Sequence, residues 1–197
     1  MSTPRWRLGV GVGDGLVCAV GGRNSSDDYL SSVECYDPST NTFALKSPLL
    51  NARESHAVVA MEDKYLYAIG GYNEAVLKSC EKYSFEENEW VSISNLIVAR
   101  YDPAAANLNG VIYAMGGWND EYKNDVECYS PSTDQWKVVA SLGVARDALR
   151  AAVVNHRLYA VGGAYSKVVE VYNEDENTWA READLTTARS YLAVVAV

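Results

Sequence analysis

Four Gly-Gly pairs, Gly21-Gly22, Gly70-Gly71, Gly116-Gly117 and Gly162-Gly163, recur along this 197-residue chain at intervals of 49, 46 and 46 residues. Each pair closes a short apolar run, at 16–20, 66–69, 112–115 and 158–161. A period in the forties built this way marks a repeated β-sheet unit, not one irregular domain. Aligning the glycines brings further columns into step. A tyrosine recurs as Tyr36, Tyr83, Tyr129 and Tyr172. Seven residues on comes an aromatic, Phe43, Trp90, Trp136 or Trp179, and ten further on an arginine, Arg53, Arg100, Arg146 or Arg189. Arg5 stands 16 residues before Gly21 and extends the arginine column to five.

Each column has a physical reason. The segments after the arginines, such as Ala57-Val58-Val59-Ala60 and Ala151-Ala152-Val153-Val154, are short apolar runs suited to strands buried on both faces. Tight polar turns, Glu62-Asp63-Lys64 and Asn155-His156-Arg157, join them to the next run. Between the recurring Tyr and aromatic lie six residues of turn chemistry, for instance Asp37-Pro38-Ser39-Thr40-Asn41-Thr42, where Pro fixes φ and Asx or Ser side chains bond nearby backbone. Each repeat is therefore expected to be four strands. The repeats divide the single domain 1–197 into 5–52, 53–99, 100–145 and 146–188, with 189–197 as one extra inner strand. The paired glycines admit backbone conformations closed to other residues.

An apolar strand, Gly-Gly, a spaced Tyr, a spaced Trp and a spaced Arg, all repeated over residues 5–197, resemble the kelch repeat. The resemblance implies an all-β, kelch-type β-propeller in which each four-stranded repeat is a blade packed against the next. It also implies that the recurring Trp packs between blades and that the recurring Arg sits where one blade leads into the next. Phe43 replaces the Trp, and Cys18 replaces the Tyr found at 67, 113 and 159. Kelch propellers carry about five to seven blades, so three arrangements compete: an open fragment of a larger propeller, a compact four-bladed ring, or a self-associating pair of chains.

With 17 basic and 26 acidic residues the net charge is −9, which disfavours nucleic acid and acidic membranes as partners. No run reaches the ~18 apolar residues of a membrane-spanning helix. Met1-Ser2-Thr3-Pro4-Arg5 lacks the apolar stretch of a signal peptide, so a cytoplasmic location is expected. Cys18, Cys35, Cys80 and Cys128 all fall in strand-like stretches and read as buried free thiols. No Cys-x-x-Cys is present, and His56 and His156 stand in non-equivalent positions, so neither metal nor cofactor is expected. A copper-radical oxidase would need at least two well-placed His ligands, and a sialidase-like site an arginine cluster with a carboxylic acid and a tyrosine nucleophile. The column arginines read instead as structural groups that bond loop carbonyls.

Function is then sought where the repeats differ. In kelch propellers the loops after Gly-Gly and those ending at the column Arg emerge on one face. Here these positions hold aromatics and arginines among small polar residues, the mix that peptide-binding surfaces use as anchors. The candidate partner-binding residues are Arg7, Arg23, Asn24, Ser55, Tyr72, Tyr101, Asp102, Trp118, Tyr165 and Tyr191. Residues 4–12, with Asp14-Gly15 and 19–24, resemble the propellers of BTB-kelch adaptors. In those, an arginine two places after a column Arg and another directly after Gly-Gly grip acidic side chains of a bound peptide; Arg7 and Arg23 match these patterns, although here both lie in one repeat. The resemblance implies target recognition for a cullin-RING ubiquitin ligase, with no BTB or BACK domain in this chain to recruit it. Actin binding is the alternative, and a kelch-type enzyme acting on sugars a more distant one.

Overall fold

The seven-residue spacing of the tyrosine and aromatic columns closes a hairpin in every repeat. In the computed structural model, which describes residues 1–195, Tyr36 faces Phe43, Tyr83 faces Trp90, Tyr129 faces Trp136 and Tyr172 faces Trp179 across antiparallel strands. Their ring centroids lie 5.1–5.2 Å apart in tilted pairs, an arrangement that aromatic quadrupoles favour. Each phenol donates to the side-chain oxygen of a turn residue five positions on, Asn41, Asn88, Asp134 or Asn177. All four turn residues have positive φ, which Asn and Asp tolerate better than other side chains.

These hairpins complete four antiparallel four-stranded sheets, as the repeat pattern predicts. The first blade comprises Gly9–Gly13, Leu16–Val20, Val33–Asp37 and Thr42–Lys46. The second comprises Ala57–Met61, Tyr65–Ile69, Cys80–Ser84 and Glu89–Ile93. The third comprises Ala104–Leu108, Val111–Met115, Val126–Ser130 and Gln135–Val139. The fourth comprises Arg150–Val154, Arg157–Val161, Val169–Asn173 and Thr178–Arg181. The first strands of successive blades neighbour one another about a common axis. Apolar cores fill the three gaps: Leu49, Leu66 and Trp90 in the first, Tyr67, Ile112 and Tyr129 in the second, Tyr113, Leu142 and Leu158 in the third.

Two polar devices join each blade to the one before. Indole N–H groups of Trp90, Trp136 and Trp179 donate to the carbonyls of Ser47, Ser94 and Ala140 at 3.1, 2.9 and 2.9 Å. The N–H of those same three residues returns to Asn88, Asp134 and Asn177. The second device is a buried ion pair that the arginine column makes with a glutamate column two residues before each tyrosine. Arg5 meets Glu34 at 2.7 Å, Arg53 meets Glu81 at 2.6 Å, Arg100 meets Glu127 at 2.8 Å, and Arg146 meets Glu170. Arg5, Arg53 and Arg100 also donate to the carbonyls of Gly21, Gly70 and Gly116. The glutamates accept linker N–H groups, such as Leu50 and Asn51 on Glu81 and Ile97 and Val98 on Glu127. At Glu34, burial pushes the carboxyl up, but donors from Ser2, Arg5 and Thr3 outweigh it and bring the group down to about 2.

The first blade lacks the Trp device, because Phe43 has no N–H and its face is uncovered. Val10 and Phe43 are 56% and 47% exposed, whereas Trp90 in the next blade is 2% exposed. The ring is open on that face.

Two expectations are corrected. The extra inner strand expected at 189–197 does not form over 189–195, and residues 196–197 lie outside the described residues. The inner strand of each blade is already supplied within its own repeat, and Leu192 and Val194 instead line a cavity together with Gly9. The cysteines are not all free thiols, since Cys18 and Cys35 form a disulfide. They stand opposite each other in register, in a blade where Cys18 replaces the bulky tyrosine of the others. Cys80 and Cys128 are free, and burial pushes the Cys80 thiol up to about 12.

The contrast between Phe43 and Trp90 gives a direct test. Trp90→Ala is expected to cost about 3–5 kcal/mol in chemical denaturation, the range for truncating a buried aromatic. Phe43→Ala in the same column should cost about 1 kcal/mol or less, as for a surface substitution.

His56, in the same interior, sets a pH dependence. It packs where Gly9 has no side chain; a Cβ there would fall 2.8 Å from its Nε2. Neither ring nitrogen has a partner among the described residues. Burial, followed by the nearby Arg53 charge, holds the ring down at about 3, so it stays neutral in the fold. The unfolded chain binds the proton from about pH 6.5 downward. Stability is therefore full above that pH and falls as pH drops toward the folded value, with about 2 kcal/mol lost at pH 5. Melting curves of His56→Asn between pH 7 and 5 should show a shallower pH slope than wild type.

Candidate functional site

The residue two places after each column arginine sits in the left-handed region: Arg7 (φ 52°), Ser55 (48°), Asp102 (49°), Ala148 (50°) and Tyr191 (54°). None is glycine, so each stores strain of about 1–3 kcal/mol that its surroundings must hold. They hold one another. Ser55 N–H donates to the Arg7 carbonyl at 2.9 Å, Asp102 to Ser55 at 2.9 Å, Ala148 to Asp102 at 3.3 Å and Tyr191 to Ala148 at 3.1 Å. This backbone chain runs around one end of the propeller axis.

One residue earlier, the chain pairs with the loops that follow the glycines. Trp6 bridges to Arg23, Glu54 to Tyr72 and Tyr101 to Trp118, and the Asp147 carbonyl accepts the Ala164 N–H at 3.0 Å. The glycine pairs make this approach possible. Gly116 and Gly117 have φ of 61° and 93°, and a Cβ would fall 2.5 Å from the Arg146 carbonyl oxygen and 2.8 Å from that of Tyr101. Both sets of variable loops thus share one face. After the second and third glycine pairs they form small hairpins, Tyr72–Asn73 with Ala75–Val76 and Trp118–Asn119 with Glu121–Tyr122.

Between them lies an open cavity of about 430 Å³. Of the ten expected binding residues, Arg7, Arg23, Tyr72, Tyr101 and Trp118 line it. Ser55 and Asp102 are buried in the backbone chain beneath the mouth. Asn24 shapes its own loop, its Oδ1 accepting from Ser26 and Asp28 N–H at 2.9 Å. Tyr165 and Tyr191 are exposed and stand outside the cavity lining.

Three lining residues, Glu54, Tyr122 and Asp147, were not singled out from sequence. Glu54 and Asp147 occupy the column directly after the arginines, the position of Trp6 and Tyr101, and that alignment was their only signal.

The charges are arranged unevenly. Arg7 and Arg23 both turn toward Glu54, whose Oε1 lies 3.1 Å from Arg7 Nη1 and 3.8 Å from Arg23 Nη1. Glu54 is 2% exposed and its Oε2 has no partner among the described residues. The guanidiniums stack over aromatic rings, Arg7 over Trp6 at 4.6 Å and Arg23 over Tyr29 at 4.8 Å, a contact that holds their planes in place. Tyr72 stands 5.9 Å from both Tyr29 and Tyr101. On the far side, Asp147 makes no ion pair among the described residues, and burial pushes its carboxyl up. Asp102, beside it, is pushed up by burial while Arg150, 3.4 Å away, pulls it down and Asp147 pushes it up. Burial also pushes the Tyr101 phenol up. No cluster of three or more His, Cys, Asp or Glu side chains suited to a metal occurs among the described residues.

Comparison with known proteins agrees with this architecture. Family models described as "Kelch motif" match residues 4–49, 52–97, 99–143 and 145–186. Kelch-like protein 7 of Rattus norvegicus is 38% identical over 74 residues, 37% of this chain and 12% of that protein. Kelch repeat and BTB domain-containing protein 1 of cowpox virus is 26% identical over 117 residues, 57% of this chain and 21% of that protein. The matches thus span about a fifth or less of these relatives' lengths. The solved structure of YjhT superposes with a TM-score of 0.83 at 14% identity, covering 95% of this chain and 73% of that one, which is a likeness of fold alone. By its four matched repeats and their shared columns, the chain belongs to the kelch-repeat family.

Proposed function

We propose that this chain is a protein-interaction propeller whose mouth binds a peptide segment of a target protein, and that it serves as the target-recognition part of a kelch-like cullin-RING ligase adaptor. The observation that carries the binding reading is the cavity itself: non-repeating arginine and aromatic side chains converge on one face, over a chain of strained left-handed residues that the repeat columns hold in place. Tyr, Trp and Arg are the residue types that dominate binding energy at such surfaces. The adaptor reading is supported by likeness to relatives whose names join kelch repeats to a BTB domain.

Catalysis fits the mouth less well. Its two arginines already face an internal carboxylate, and burial raises the Tyr101 phenol, the opposite of what a tyrosine nucleophile needs. Turnover of a sialic acid derivative by the purified chain would contradict this reading. For actin, a chain of net charge −9 offers an acidic filament little attraction; salt-sensitive co-sedimentation with filaments would favour that alternative.

The binding reading is tested by partner capture with matched variants. Arg23→Ala and Trp118→Ala should each lower capture of a specific partner at least about tenfold, with melting temperatures close to wild type. Lys137→Ala, on the exposed outer strand of the third blade, should leave capture unchanged. Equal capture by all three variants would overturn the reading.

A further inference from the structure

The two sides of the mouth differ in charge. On the side of the first two blades, Arg7 and Arg23 face Glu54 and Arg23 also meets Asp27 at 3.4 Å, so the charges balance. Of the two guanidiniums, only Arg7 Nη1 and Arg23 Nε donate hydrogen bonds among the described residues, which leaves the other guanidinium N–H groups for a ligand. On the side of the last two, Asp102 stands 3.4 Å from the Arg150 guanidinium, while Asp147 meets no guanidinium among the described residues. That side holds an excess of one negative charge. Asp147 lines the cavity and has no cationic partner among the described residues. Asp102, 5% exposed, keeps its Oδ2 unpartnered. A half-buried carboxylate left without a cation costs desolvation that an incoming cation can recover. Trp118 and Tyr122 line the same cavity with accessible rings, which attract a cation through their faces. Tyr72 and Tyr101 line the same cavity, their ring centroids 5.9 Å apart.

We infer that the mouth takes a peptide segment carrying both charges: an acidic side chain over Arg7 and Arg23, a lysine or arginine against Asp147, and apolar residues between them on Tyr72 and Tyr101. This rests on the peptide-binding reading above and goes beyond it in naming the ligand's charge pattern. A purely acidic segment satisfies only one end. It also meets Glu54 between the arginines and Asp147 beyond them, so repulsion offsets part of its gain.

Fluorescence anisotropy with labelled peptides on one apolar scaffold tests this. One set carries Glu and Lys two to five residues apart in both orders, and three controls carry Glu alone, Lys alone or neither. The best two-charge peptide should bind about tenfold tighter than the Glu-only control. Asp147→Asn should erase that advantage while leaving Glu-only binding in place, and replacing the peptide's Lys by norleucine should do the same in the wild-type chain. If Glu-only peptides bind as tightly as every two-charge peptide, the inference falls while peptide binding stands. If no peptide in the set binds, both fall.

Discussion

The buried arginine–glutamate pair repeated at each blade junction is the contact on which the rest of the molecule depends. It ties the linker between two blades to the second of them, because the arginine lies in the linker and the glutamate in a strand of the blade that follows. Removing one partner of such a pair costs about 3–5 kcal/mol, since the remaining charge stays buried without compensation. An apolar replacement could match the energy, but it could not match the geometry. The guanidinium fork reaches a glycine carbonyl and a carboxylate at once, and the carboxylate gathers the linker's N–H groups. The linker is thereby fixed in direction, and the residues just beyond the arginine arrive at the mouth in a defined order.

Strain and function meet there. Two places after each of the five column arginines stands a non-glycine residue at positive φ, and the hydrogen bonds linking these residues run around the mouth. A loop without such anchorage would relax. Here the columns below hold the backbone, so side chains at the strained positions and their neighbours can vary from blade to blade without loss of register. The fold thus separates two tasks: repeated residues keep blades in step, and unrepeated ones meet the ligand.

Much of this is legible in sequence, and the limits are physical. The glycine, tyrosine, aromatic and arginine columns give the blades, because each satisfies a local rule of turn or strand. The glutamates were equally periodic, but a lone Glu in a strand reads as a solvated residue until the arginine of the linker entering its blade is known to lie against it. Arg7 and Arg23 were found as mouth residues, yet their shared carboxylate was not, since Glu54 comes from the next repeat and its approach is a tertiary fact. The disulfide was missed for a related reason: Cys18 and Cys35 are 17 residues apart, and only sheet register sets them opposite each other. The strand expected over 189–197 followed the repeat, but pairing is a tertiary fact, and Leu192 and Val194 line a cavity instead of joining a sheet.

A fold that divides its tasks in this way meets ligand with the unrepeated residues of the mouth and not with the sides of the blades. Hydrogen–deuterium exchange with and without a bound partner protein distinguishes the two. New protection is expected to be confined to residues 5–7, 23–29, 54–55, 72–76, 101–102, 118–122 and 147–148. Protection concentrated instead on the outer strands, Thr42–Lys46, Glu89–Ile93, Gln135–Val139 and Thr178–Arg181, with the mouth unchanged, would contradict it.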